Sequence, residues 1–394
     1  MKLKTLLIKP STYMKTQLTF GIIVLTCISA YATVRTVSNS PTRLAQFNTF
    51  AAAQTASANG DTIYVYGSPF EYPDITVSKR LVIIGAGYNP NNQFGQPTRI
   101  SNIILFRDAG TNNASGSVIT GVLTGRLDIS GLMSNNIRLS RNRFESYINL
   151  AGGSPVGYAD GWVLINNIFG SYLNGGGTSR IAPSATNIII ANNIFTTSSY
   201  LYFFNSNTII VDHNIFIGPG SGGNLYNLYN VIITNNIFTR STGTAFAGST
   251  QGPVLCTFNN NLSNLSTIAD PSTYSPATNF VNTFTGTGGG SNFGGGNIVG
   301  QDPLYTTVPN LTTYSASANY RLQASSAGKN AGTDGTDLGI YGGAYPFPSG
   351  GAVGSGFDTS PLPPIPQVTE LNIQNATVPV NGTLNVTVKA TVNN

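Results

Sequence analysis

One eight-residue phrase returns along the middle of the chain: IRLSRNRF at 137–144, WVLINNIF at 162–169, IIIANNIF at 188–195, IIVDHNIF at 209–216 and VIITNNIF at 231–238. A worn copy is read at 255–262. The phrase carries an Asn column: Asn142, Asn167, Asn193, Asn214, Asn236 and Asn260, spaced 25, 26, 21, 22 and 24 residues apart. A period this short excludes helical-pair repeats and predicts one coil of a solenoid per repeat.

The coils read as strands. Each phrase is β-branched and ends at a turn-forming Asn. Three residues before the Asn stand Leu139, Leu164, Ile190, Val211, Ile233 and Thr257; five before stand Ile137, Trp162, Ile188, Ile209, Val231 and Leu255. These alternate columns face inward, with the Phe column Phe144 to Phe238 turning inward beyond the bend. Val163, Ile189, Ile210 and Ile232 face outward yet are apolar, so a cover over them is expected. Asn suits the bend because it tolerates left-handed angles and bonds locally. Stacked coils bring these amides about 4.8 Å apart, close enough for a ladder.

Composition narrows the function. Charged residues make up 8% of the chain, against roughly 25% in a typical soluble domain, while Asn (44) and Gly (45) are abundant. A nucleic-acid binder would carry a basic stripe, and a coiled coil would need Glu and Lys. The net charge of +5 reflects the first residues. Lys2, Lys4, Lys9 and Lys15 precede the apolar run Leu18–Ile28, which ends in Ala30-Tyr31-Ala32. This three-part pattern predicts a signal peptide over 1–32, cut before Thr33. The run is too short to span a membrane. Cleavage would leave 15 basic and 14 acidic residues, so no acidic partner is implied. With Cys27 in the leader, Cys256 has no internal partner.

From these residues the chain resembles the right-handed parallel β-helix superfamily, the pectate-lyase-like fold, in its secreted bacterial form. Asp61 to Val65, Ile75-Thr76-Val77 and Leu81 to Gly85 resemble its entry coils. Asp302 to Tyr305, Tyr320 to Gln323 and Asp337 to Gly343 resemble its closing coils. The expected architecture is all-β: an N-terminal cap at 33–60, a parallel β-helix at 61–345, a Pro/Gly/Ser linker at 346–366 and a β-hairpin tail at 367–394. The cap is expected to be helical, with Leu44, Phe47 and Ala51 on one face. Asn381-Gly382 marks the hairpin turn.

The fold hosts lyases, hydrolases, esterases and non-enzymatic adhesins, so activity must come from side chains. Arg138, Arg141, Arg143 and Glu145 lie on one coil, near Arg126 and Asp128 in sequence. The resemblance implies that such an Arg-rich coil suits a polysaccharide lyase. A solvated turn with a local ion pair is the plainer reading. Asp212-His213 holds the sole His and resembles a pectate-lyase segment, although it also fits the repeat as a polar variation at the bend. No metal spacing, nucleotide loop or Ser nucleophile motif appears, so neither metal nor cofactor is expected. Tyr147, Tyr172 and Tyr200 begin comparable strands, with Tyr202 and Tyr226 beside them. An outward Tyr row is expected to lay ring faces against sugar rings; the plainer reading is Tyr enrichment in strands. The expected protein is therefore a secreted or cell-surface β-helix that binds polysaccharide without cutting it, with no nucleic-acid partner. The alternatives are a lyase or glycosidase working at the Arg coil, and a structural or adhesive surface protein.

Overall fold

A computed structural model describes residues 32–88, 96–152, 157–177, 182–196, 199–218, 224–240, 253–265, 283–284, 292–347, 367–373, 377 and 382–391. Residues 1–31, which hold nearly all of the expected leader, and most of the 346–366 linker lie outside them.

Each central coil folds as three short strands. In the coil at 163–174 these are Val163–Ile165, Ile168–Phe169 and Leu173–Asn174. Each pairs in parallel with its counterpart one repeat away, such as Leu164 with Leu139 and Ile190, or Leu173 with Ile148 and Leu201. Stacking produces a parallel β-solenoid with three faces. The first face is a 12-stranded sheet. The second and third share one 14-stranded sheet because two earlier strands, Arg99–Arg107 and Leu123–Gly131, run through both. Leu123 of that second long strand pairs with Arg143, and Leu127 pairs with Ile148, so later coils break where earlier ones stay straight.

The inward columns form the core. Leu139, Leu164, Ile190, Val211 and Ile233 are fully buried, as are Ile137, Trp162, Ile188 and Ile209. Phe144, Phe169, Phe195, Phe216 and Phe238 stack along the axis with centroids 5.6, 4.7, 4.5 and 4.8 Å apart. Repetition of one ring at one register keeps this column continuous.

The ladder runs through the bend between the first and second faces. Asn142 Nδ2 donates to Asn167 Oδ1 at 3.2 Å, Asn167 to Asn193 at 3.1 Å, Asn193 to Asn214 at 3.0 Å and Asn214 to Asn236 at 2.9 Å. The next rung is Asn261, not Asn260, and the ladder continues to Asn297. The worn copy is thus displaced by one residue, and Cys256 and Phe258 are its inward side chains, both fully buried. Each ladder amide also donates to a carbonyl of the preceding coil, as Asn193 does to Leu164.

Left-handed geometry belongs to the residue before each rung. Arg141, Asn166, Asn192, His213, Asn235 and Asn260 all have φ between 50 and 58°, and Gly121 and Gly296 hold the same place at the ends. The Asn-Asn pair therefore divides the work: the first residue turns the chain and the second bonds along the stack.

Those turning residues carry a strap. The segment 331–345 runs back along the outside of the bend, against the direction of the coils. Asn260 donates to Ala331 O, Asn235 and Thr333 exchange two hydrogen bonds, and Asn192 donates to the Ile340 and Gly342 carbonyls. Asn166 reaches Tyr345 O, and Arg138 lies over the Tyr345 ring at 5.8 Å. Gly343, at φ 74°, passes so close to the His213 ring that a Cβ would stand 2.7 Å from Nδ1. Leu338 and Ile340 of the strap, with Tyr305 and Tyr320 beside it, pack on the outward second-face column Ile168, Ile194, Ile215, Ile237 and Leu262. The cover thus lies on the second face. The apolar first-face column expected to be covered is partly open, with Ile210 38% exposed.

Both ends of the stack are closed. Val34–Val37 pairs with Thr62–Val65, so the stack begins before Asp61. Its open edge is taken up by Gln46 and Phe47: Ser38 N donates to Phe47 O, and Phe47 N to Thr36 O. The capping helix is short, Phe50–Thr55, begun by Thr49, whose hydroxyl accepts from Ala52 N. It buries Phe50 and Ala53, whereas of the face expected at Leu44, Phe47 and Ala51, Leu44 and Phe47 precede the helix, Leu44 is 97% exposed, and Ala51 is exposed as well. At the far end the antiparallel strand Thr283–Phe284 pairs with Phe293–Gly295 and ends the parallel order. The tail is a hairpin of Gln367–Ile373 and Val386–Thr391.

Candidate functional site

The third face places two outward columns side by side. Register from Ile75 through Ile103, Leu127, Ile148, Leu173 and Leu201 puts Asp74, Asn102, Arg126, Tyr147, Tyr172 and Tyr200 in one column. The second column, two residues on, holds Asp128, Asn149, Asn174, Tyr202 and Tyr226. Inward Ile and Leu between them fix both columns outward.

The Tyr rings stack on one another. Tyr147 and Tyr172 have centroids 5.2 Å apart at 5°, and Tyr172 and Tyr200 5.5 Å apart at 23°. Tyr226 leans in at 4.9 Å from Tyr200, and Arg126 closes the lower end over Tyr147 at 5.9 Å. Burial pushes the Tyr172 and Tyr200 phenols upward, and the neighbouring phenols add to it. Stacking changes what the row offers. Within it, faces cover each other, so edges and hydroxyls point outward at one-coil intervals. Faces tilt open at the upper end, where Tyr200 and Tyr202 meet at 81° and Tyr202 and Phe203 at 43°. The row thus presents a comb of phenols ending in a tilted aromatic group.

The Arg-rich coil does not converge. Arg138 belongs to the first face and Arg141 to the bend, whereas Arg143 lies on the second face. Glu145, at the next corner, lies 3.9 Å from Arg143 and 3.6 Å from Arg99. All three groups are 39 to 46% exposed, so these pairs are solvated contacts of small worth. Arg126 pairs with Asp128 at 2.7 Å on the third face.

Asp212 and His213 do meet. Adjacent strand residues ordinarily point apart, but the left-handed angle at His213 turns its ring back, and Nδ1 lies 2.8 Å from Asp212 Oδ2. Its Nε2 faces Thr336 Oγ1 at 3.2 Å and Asp334 Oδ1 at 3.7 Å, both on the strap. Burial alone would raise the Asp334 carboxyl, but hydrogen bonds from Thr336 and the nearby His213 hold it below the usual range. The His213 side chain is 1% exposed and the Asp212 side chain 24%, so the pair clamps the strap with the imidazole closed off from solvent. Among the described residues, no group of three His, Cys, Asp or Glu side chains is placed to hold a metal ion, and no helix is long and apolar enough to cross a membrane.

Sequence reasoning missed Asp74, Asn102, Asn149 and Asn174 as members of the third-face strip. The signal lay in Ile75-Thr76-Val77 and Ile103-Ile104-Leu105, which align with the later coils only once the long strands are seen to span two faces. No protein-family model matches the chain, and no curated protein matches it. The fold and its side chains therefore carry the functional argument.

Proposed function

We propose that the protein is an exported, pectate-lyase-like right-handed β-helix that binds polysaccharide along its third face without cutting it. The observation that supports this most is the continuous outward strip, in which Tyr147, Tyr172 and Tyr200 follow Arg126 and Asn102, with Asn149, Asn174 and Tyr202 alongside. Phenols, amides and a carboxylate offer donors and acceptors at one-coil intervals to the hydroxyls of an extended chain. The tilted group Tyr200, Tyr202, Phe203 and Tyr226 supplies apolar faces for sugar C–H groups. These rings are already packed, so little freedom is lost on binding. Each contact is worth roughly 0.5–1.5 kcal/mol by analogy with aromatic pairs, and affinity comes from several in a row.

The experiment is a pull-down on neutral and uronate polysaccharides with the double variant Tyr172→Ala/Tyr200→Ala beside Arg141→Ala, with product analysis for chain cleavage. Loss of neutral-glycan retention in the Tyr variant, with Arg141→Ala unchanged and no products, is the expected result. Retention by the Tyr variant equal to wild type overturns the reading, and so does cleavage abolished by Arg141→Ala.

An adhesive reading draws on the tail. Leu371 and Val388 oppose each other on the hairpin, as do Ile373 and Val386, and all four are 44 to 63% exposed. A hairpin with one bare apolar face is marginal alone, which suits an attachment element at a cell surface. Fractionation of cells expressing the chain with and without 367–394 tests it: loss of surface retention supports attachment, and unchanged retention refutes it.

A further inference from the structure

A cleft of about 420 Å³ opens where the third-face strip meets the N-terminal cap, with Asp74 in both. Phe50 and Ala51 form one wall and Pro73 and Ile75 the other. The volume lies in the range of small-molecule sites, roughly 300–1,000 Å³.

Two of the polar groups that line it, Asn39 and Asp74, stand out as acceptors. Asn39 Nδ2 donates to the carbonyls of Phe70 at 3.3 Å and Glu71 at 3.0 Å. Flipping that amide would set its oxygen against two carbonyls, so the orientation is fixed. Asn39 Oδ1 is then a buried acceptor that receives no hydrogen bond among the described residues. Such an atom carries its full desolvation penalty until a donor arrives. Hydrogen bonds from Ser101 and Asn102 hold the Asp74 carboxyl below its usual value, so it is an anion at neutral pH. The Gln54 amide is spent: Nε2 donates to Thr76 O and Oε1 accepts from Ser78 N. Asn39 and Asp74 thus both ask for donors, while the walls ask for an apolar face.

We infer that this cleft is an end site of the strip, taking a terminal sugar ring that brings donors to Asn39 and an ammonium to Asp74. A chain ending in an amino sugar binds ahead of a neutral one, and both bind ahead of a uronate, which would set a carboxylate against Asp74. The inference rests on the glycan reading of the third face, and it adds polarity: one chain end sits at the cap and the rest runs toward Tyr200, about 24 Å along the stack.

The test is titration of the full chain with hexamers of glucosamine, glucose and galacturonate, all β-linked except the last. Two exposed positions are varied, Asp74→Asn and Ala51→Trp, the second to fill the cleft, with melting temperatures followed for each. Wild type should bind the glucosamine hexamer about two- to fivefold more tightly than the glucose hexamer at low salt, the worth of one exposed ion pair. Asp74→Asn should erase that difference and spare glucose binding, while Ala51→Trp should weaken both. A preference that survives Asp74→Asn, or binding indifferent to Ala51→Trp, overturns the end site even if Tyr172→Ala still weakens binding. If wild type binds none of the hexamers, the glycan reading fails as well.

Discussion

Two neighbouring asparagines, Asn192 and Asn193, are alike in sequence and opposite in duty. Asn192 takes the left-handed angle and donates to two strap carbonyls. Asn193 is fully buried and bonds both along the ladder and to Leu164 O. Asn193→Leu should cost about 2–4 kcal/mol in urea unfolding, since it strands buried partners on two coils. Asn192→Gly keeps the turn and loses only strap bonds, so about 1 kcal/mol is expected. Equal losses would show that the two columns are not distinct. The repeat made the ladder readable at this scale because the same Asn-Asn pair stands in three of its phrases and Asn-Ile-Phe closes four. It placed the last rung at Asn260 instead of Asn261, because in the run Asn259 to Asn261 spacing alone is silent and the strand end decides. Asn297 was hidden because 36 residues separate it from Asn261 and three glycines precede it.

Among elements, the strap and its cover hold most that the sequence concealed. The Ile168 to Leu262 column is as apolar as the first-face stripe, and alternation cannot tell which one receives a cover. What decides is the turning column, whose amides offer hydrogen bonds that only a chain along the second-face side can take. Removing 331–347 should expose that apolar column and raise binding of a hydrophobic dye; unchanged dye binding would mean the cover is not held there. The cover should also be alkali-sensitive. Burial pushes the Tyr320 phenol to about 12 and raises Tyr305 well above its ordinary value. An unfolded phenol ionises near 10, so the stability this group adds is intact below about pH 10 and lost as pH rises to about 12. For Tyr320 that amounts to roughly 3 kcal/mol. Phenol absorbance and near-ultraviolet circular dichroism should change together in that window. Complete phenol ionisation near pH 10 with the dichroism intact would contradict the burial.

At the largest scale, the three faces of the solenoid differ: the first is partly bare, the second is covered, and the third carries the polar and aromatic strip. Strand period and repeat length sufficed to read the stack, and outward Tyr residues beside inward Leu sufficed to find the row. Ring stacking was not readable, because it depends on side-chain tilt, and neither was the union of the Tyr row with Arg126 and Asp74 through the long early strands. The strip predicts that affinity depends on ligand length and little on salt, because its chemistry is hydroxyl and aromatic contact. Calorimetric titration with neutral oligosaccharides of increasing length tests this most directly. Affinity should rise with each added sugar until the chain spans the strip, then level off, and Tyr172→Ala/Tyr200→Ala should flatten the rise. Affinity independent of length, or a rise unchanged in the double variant, would contradict the account.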